Sequence, residues 1–84
     1  MGAVAFGAEV YPNPWVGELH VQLVGVGAEP ISFLLYDALG KLVRSHTTAS
    51  AQQVVLPAVG SLPAGVYTLR ISQGSQRQVV KLTH

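Results

Sequence analysis

The chain has no cysteine, one methionine, one tryptophan, and only five basic and four acidic side chains in 84 residues. Without cysteine there is no disulfide scaffold and no thiolate metal site. The compartment stays open, since an exported domain can be built without disulfides. No apolar run approaches the roughly 18 residues of a membrane-spanning helix. The net charge is +1, with no basic run, so the cationic patch of a nucleic-acid binder is missing and no nucleic-acid partner is expected. No stretch places apolar residues at i, i+3, i+4 and i+7 between helix caps. Internal repeats, linkers and low-complexity blocks are also missing. The first residues lack a charged segment ahead of an apolar one, so they do not open a signal peptide. Met1-Gly2-Ala3 reads instead as an initiator plus a scar. Residues 1–7 are set aside as a scar or linker remnant, and the domain is placed at 8–84. Charged residues make up 11% against a typical share of about 25%. Such a surface suits a domain that works beside a partner.

What remains is apolar and finely divided. Hydrophobic residues make up 49% of the chain, enough for a core and too much for disorder. The length allows one small domain, which buries about 60–65% of the surface its unfolded chain exposes. Five prolines and nine glycines cut the sequence into short pieces, and the pieces alternate with period two. Leu19, Val21 and Leu23 share one face; Tyr67, Leu69 and Ile71 share another; Val80 and Leu82 oppose Val79, Lys81 and Thr83. That is the signal of half-buried strands. Ile31–Tyr36 is apolar at nearly every position and reads as a central strand covered on both sides. Shorter strands are expected at Ala8–Tyr11, Leu42–His46 and Gln53–Leu56. Seven short strands with a turn every 8–12 residues or so predict an all-β, Ig-like antiparallel β-sandwich with Greek-key connections.

The turns carry more detail. Asp37-Ala38-Leu39-Gly40 fits a type I turn, with Asp37 accepting backbone N–H bonds two residues on and Gly40 at positive φ as a bulge residue. It joins Ile31–Tyr36 and Lys41–His46 in a hairpin. Gln73-Gly74-Ser75 joins a second one. Leu62-Pro63-Ala64-Gly65 reads as another type I turn, with Pro63 second and Gly65 fourth. The order Gly65-x-Tyr67-x-Leu69 matches a tyrosine corner, in which the Tyr67 hydroxyl bonds to upstream backbone.

Four segments in order then resemble a known family. Tyr11-Pro12-Asn13-Pro14 opens the domain, Tyr36–Val43 (YDALGKLV) and Leu62–Tyr67 (LPAGVY) follow, and Val79-Val80-Lys81-Leu82 closes it. In this spacing they resemble the C-terminal sorting domain of type IX secretion in certain Gram-negative bacteria, over nearly the whole chain. The resemblance implies an Ig-like sandwich that serves as an export address for an N-terminal cargo protein. Its partners would be the outer-membrane translocon, shuttle proteins and a sortase-type cysteine peptidase that cuts upstream as cargo is anchored. The route would run through the periplasm to the outer membrane and cell surface. Trp15 stands where the family pattern has a smaller or different apolar residue, and His84 is read as native or as a tag remnant. An alternative from another class is a generic Ig- or fibronectin-like module for carbohydrate binding or domain spacing.

The candidate recognition residues are Tyr11, Pro12, Asn13, Pro14 and Lys81; Asp37, Gly40, Pro63, Gly65 and Tyr67 are the structural set. In the first segment two prolines would extend the chain and Asn13 would close a local Asx-type turn. Lys81, on the polar face of an edge strand, either blunts aggregation or meets secretion machinery. Tyr11 with Trp15 could form a platform for sugar, although a buried Trp fits its type better. His20, His46 and His84 lack metal-ligand spacing, and a Ser–His20–Asp37 set fails because Asp37 is committed to its turn. No catalytic residue, metal or cofactor is expected. Low charge and an apolar final strand also predict self-association or strand exchange through 76–83 or the N-terminal segment.

Overall fold

A computed structural model describes residues 5–84. The reading of Met1-Gly2-Ala3 as a scar lies outside those residues. Seven strands follow in order: β1 (Gly7–Tyr11), β2 (Leu19–Val24), β3 (Ile31–Tyr36), β4 (Leu42–Thr48), β5 (Gln53–Leu56), β6 (Val66–Gln73) and β7 (Gln76–Thr83). They form two antiparallel sheets, β1-β2-β5 and β4-β3-β6-β7. The β2–β3, β4–β5 and β5–β6 connections each cross between sheets, as in Ig-like sandwiches. Strand β1 starts one residue earlier than the alternation predicts and β4 runs two residues longer.

The period-two pattern decides which side chains meet. Leu19, Val21 and Leu23 from one sheet and Ile31, Phe33, Leu35, Leu69, Ile71 and Leu82 from the other are all buried in one core with Trp15 and Tyr67. Phe6, just ahead of β1, is buried as well. Fully burying one such side chain contributes about 1.5–3 kcal/mol. A domain of this size is stable by only about 0.05–0.15 kcal/mol per residue. Leu69→Ala, at about 2–5 kcal/mol, would therefore remove much of the fold's margin.

Strand β3 corrects one expectation. It is central in its sheet, between β4 and β6, but only one face is covered: Ile31, Phe33 and Leu35 are buried while Ser32, Leu34 and Tyr36 are half-buried. Sheets cover only their inner faces in a two-layer sandwich, so a wholly apolar strand can still leave half its side chains near water. Tyr36 is partly covered from within the sheet by Arg70, whose guanidinium carbon sits 5.6 Å from the ring centroid.

The Asp37–Gly40 turn forms as its chemistry dictates. Gly40 N–H donates to the Asp37 carbonyl at 3.0 Å, and Asp37 Oδ1 accepts from Leu39 and Lys41 N–H, both at 2.9 Å. Gly40 has φ +82°, where an L side chain is strained. The β3–β4 register shifts next to it, between Leu35 and Tyr36. The β6–β7 hairpin turns on Gly74-Ser75, with Gly74 at φ +58°. Gln73, expected to serve that turn, instead continues the inward row of Tyr67, Leu69 and Ile71 and is buried. Its amide holds the 25–30 loop by accepting from Gly27 N–H and donating to the Gly27 and Glu29 carbonyls.

Candidate functional site

Strands β1, β3, β5 and β7 end, and β2, β4 and β6 begin, at one pole of the sandwich. The sequence segments that stood out converge there. Pro12, Asn13 and Pro14 leave β1 as a bent strap, with both X-Pro peptide bonds cis, rather than as extended chain. Asn13 makes no local turn: its Oδ1 accepts from Thr83 N–H at 3.0 Å, at the far end of the chain. Trp15 N–H donates to the Thr83 carbonyl at 3.0 Å. A strap that pairs with the last strand satisfies edge groups that a free end would leave to water. Tyr11, at the end of β1, is exposed and stacks on His20 with ring centroids 5.4 Å apart.

Trp15 is the hub of the pole. It is 1% exposed, which removes the sugar platform considered for it and Tyr11. Its indole N–H donates to the Val59 carbonyl at 3.2 Å. Tyr67 meets its ring edge-to-face at 5.3 Å, and His84 stacks on it at 4.3 Å with the planes 3° apart. His84 Nδ1 lies 2.7 Å from the Trp15 carbonyl and Nε2 lies 3.2 Å from the Gly60 carbonyl. His84 thus takes part in the packed pole, a role its sequence context did not reveal. The only cue was its position one residue past an alternating strand.

The tyrosine corner is present. Tyr67 is buried and its hydroxyl donates to the Pro63 carbonyl at 2.5 Å. The turn leading to it differs from the type I turn expected at Leu62–Gly65. Gly65 N–H donates to the His84 carbonyl at 3.1 Å, and Gly65 accepts from His84 N–H at 2.8 Å. The hydrogen-bonded turn falls earlier, with Leu62 N–H donating to Val59 at 3.4 Å. Gly65 thus closes the β6–β7 ladder. A cleft of about 210 Å³ separates this loop from the Asp37–Gly40 turn.

Lys81 is exposed on β7, opposite Thr68 on the outer face of the four-stranded sheet. The structure therefore gathers Pro12, Asn13, Pro14, Pro63, Gly65, Tyr67 and the Asp37–Gly40 turn at one end. Lys81 stands two residues back from that end, on the outer face of its sheet. A separate apolar cavity of about 120 Å³ opens between β4 and β5, lined by Phe33, Leu35, Leu56 and Leu69 with Arg44 and His46. Among the described residues no cluster of His, Asp and Glu could hold a metal.

Residues 9–83 match the model of a family described as the secretion system C-terminal sorting domain. No curated protein matches the chain.

Proposed function

Because the chain belongs to the family of secretion system C-terminal sorting domains, we propose that its pole and the adjoining end of β7 are the surface by which export machinery reads it. The domain is a type IX secretion signal, a non-catalytic role. That role implies an attached cargo, the type IX machinery, and delivery to the outer membrane or cell surface. Within it, the domain carries cargo through the periplasm to the translocon, is met by shuttle proteins, and is removed by a sortase-type cysteine peptidase as cargo is anchored.

The observation that supports a surface role is the division of labour among the motif residues. Asp37, Gly40 and Tyr67 are consumed by turns and packing, so their chemistry is internal. Tyr11 at the pole and Lys81 two residues back from it remain exposed. Exposed ion pairs contribute only about 0–1 kcal/mol to folding, so an exposed lysine is free to serve a partner. Lys81→Ala is expected to leave the urea melt of the domain unchanged while reducing surface display of a reporter fused ahead of residue 8. Wild-type display from a normally folded variant would remove Lys81 from the recognition surface.

A further inference from the structure

Strand β7 is outermost in its sheet, so one of its edges has no partner strand. Along a strand, alternate residues aim their backbone groups to opposite edges. His84 exchanges both of its backbone bonds with Gly65, which directs Gln76, Gln78, Val80 and Leu82 toward β6. Thr83 aims the other way, its N–H to Asn13 and its carbonyl to Trp15. The strap therefore closes the outward edge at Thr83. The same edge continues through Lys81, Val79 and Arg77. Among the described residues, no backbone bond outside the ladders engages those three.

The side chains of this free edge form a pattern. Arg77, Val79 and Lys81 are exposed on the outer face, and Val79 is 58% exposed. Arg70 lies directly opposite Val79 on β6. Three of the chain's five cations thus surround one valine. No strand residue on that face is acidic: Glu9 is on β1 of the other sheet, and Glu18, Glu29 and Asp37 lie in loops. Like charges on neighbouring strand positions cost stability. A second copy pairing antiparallel about Val79 would set Arg77 against Lys81 and repeat that cost. The charges that blunt self-pairing are the ones that favour an acidic strand.

We propose that the β7 edge from Arg77 to Lys81 accepts an extended acidic segment of a partner protein as a fifth strand. Its carboxylates lie against Arg77 and Lys81, and an apolar side chain between them covers Val79. Backbone bonds along the edge supply affinity, and the alternating side chains supply selectivity. This rests on the reading of Lys81 as a recognition residue and names the chemistry that recognises it.

The test uses the 84-residue chain, isotope-labelled for NMR, and two probes, acetyl-TETVTET-amide and acetyl-TKTVTKT-amide. The acidic peptide is expected to slow amide exchange at Arg77, Val79 and Lys81 and to bind about tenfold or more tightly than the basic one, a difference of about 1.4 kcal/mol. The double variant Arg77→Glu, Lys81→Glu should reverse that preference. Equal binding of the two peptides, no binding at millimolar peptide, or shifts confined to another surface would each overturn the proposal. Phosphatidylglycerol vesicles form a separate arm: perturbation of Arg70, Arg77 and Lys81 by vesicles but not by the acidic peptide would assign the face to lipid and refute the strand. The readout is binding, not export. A silent edge together with an export-defective Lys81→Ala overturns the strand alone; a bound peptide with normal export overturns the role of Lys81 in sorting.

Discussion

Replacing Tyr67 by Phe removes one oxygen and leaves the rest of the pole in place. The ring keeps its edge-to-face contact with Trp15 at 5.3 Å and its place in the core. What is lost is the hydroxyl bond to the Pro63 carbonyl. That bond is only part-buried, so the full penalty of a wholly buried unpaired group does not apply. The expected cost is that of one ordinary hydrogen bond, about 0.5–1.5 kcal/mol. For a domain of 60–100 residues each kcal/mol lowers Tm by about 4–8 °C. With a urea slope near 1 kcal/mol/M, the midpoint moves down by about 0.5–1.5 M. Tyr67→Ala also empties the ring's site and should cost about 3–5 kcal/mol. Paired urea melts, with slopes compared to confirm two-state unfolding, decide the matter. A Phe variant that melts with the wild type would show that the hydroxyl does not hold the corner.

Asn13→Ala should cost about 0.5–1.5 kcal/mol and speed exchange of the Thr83 amide in particular, since that N–H loses its acceptor. At Gly60 an added Cβ would sit 3.1 Å from the Gly17 carbonyl oxygen and 3.2 Å from its Cα, both backbone. Gly60→Ala is therefore expected to destabilise by about 1–3 kcal/mol. Gly17→Ala, whose Cβ meets nothing within 4 Å, should stay within about 0.5 kcal/mol, and urea melts of the two glycine variants should separate them. Gln73→Leu keeps the apolar bulk but strips Gly27 N–H of its acceptor, and calorimetry should register a loss of about 2–4 kcal/mol.

Features set by neighbouring residues were legible in the sequence. The alternation of Leu19, Val21 and Leu23 placed a strand and its buried face, and Asp37 with Gly40 specified a turn that their own local bonds close. The tyrosine corner was legible for the same reason, since Tyr67 and Pro63 are four residues apart. Misreadings arose where a local preference lost to a distant partner. Asn13 favours Asx-type turns, but Thr83, 70 positions away, offers an N–H that the end of β7 would otherwise leave unpaired. Gly65 suits the last place of a turn, yet β6 needs a ladder partner there and finds it in His84. Spacing carries no record of such partners. Alternation alone also cannot say whether an apolar strand is covered once or twice, which is why Leu34 and Tyr36 read as interior.

The pairing of the strap with the last strand has a consequence for the order in which the chain becomes a protein. Synthesis delivers residues from the N-terminus, so Asn13 and Trp15 emerge long before Thr83 and His84, their partners 70 and 69 positions on. Until β7 arrives, β6 has no neighbour on that side, Trp15 lacks its stacking ring and the core is open along one flank. Contacts this far apart in sequence form late and slowly, because loop closure must be met before any bond rewards it. The sandwich cannot close while its last residues are still in the ribosome. The nascent domain therefore stays open until β7 has emerged, and any factor that must meet it unfolded has its opportunity in the interval before β7 docks.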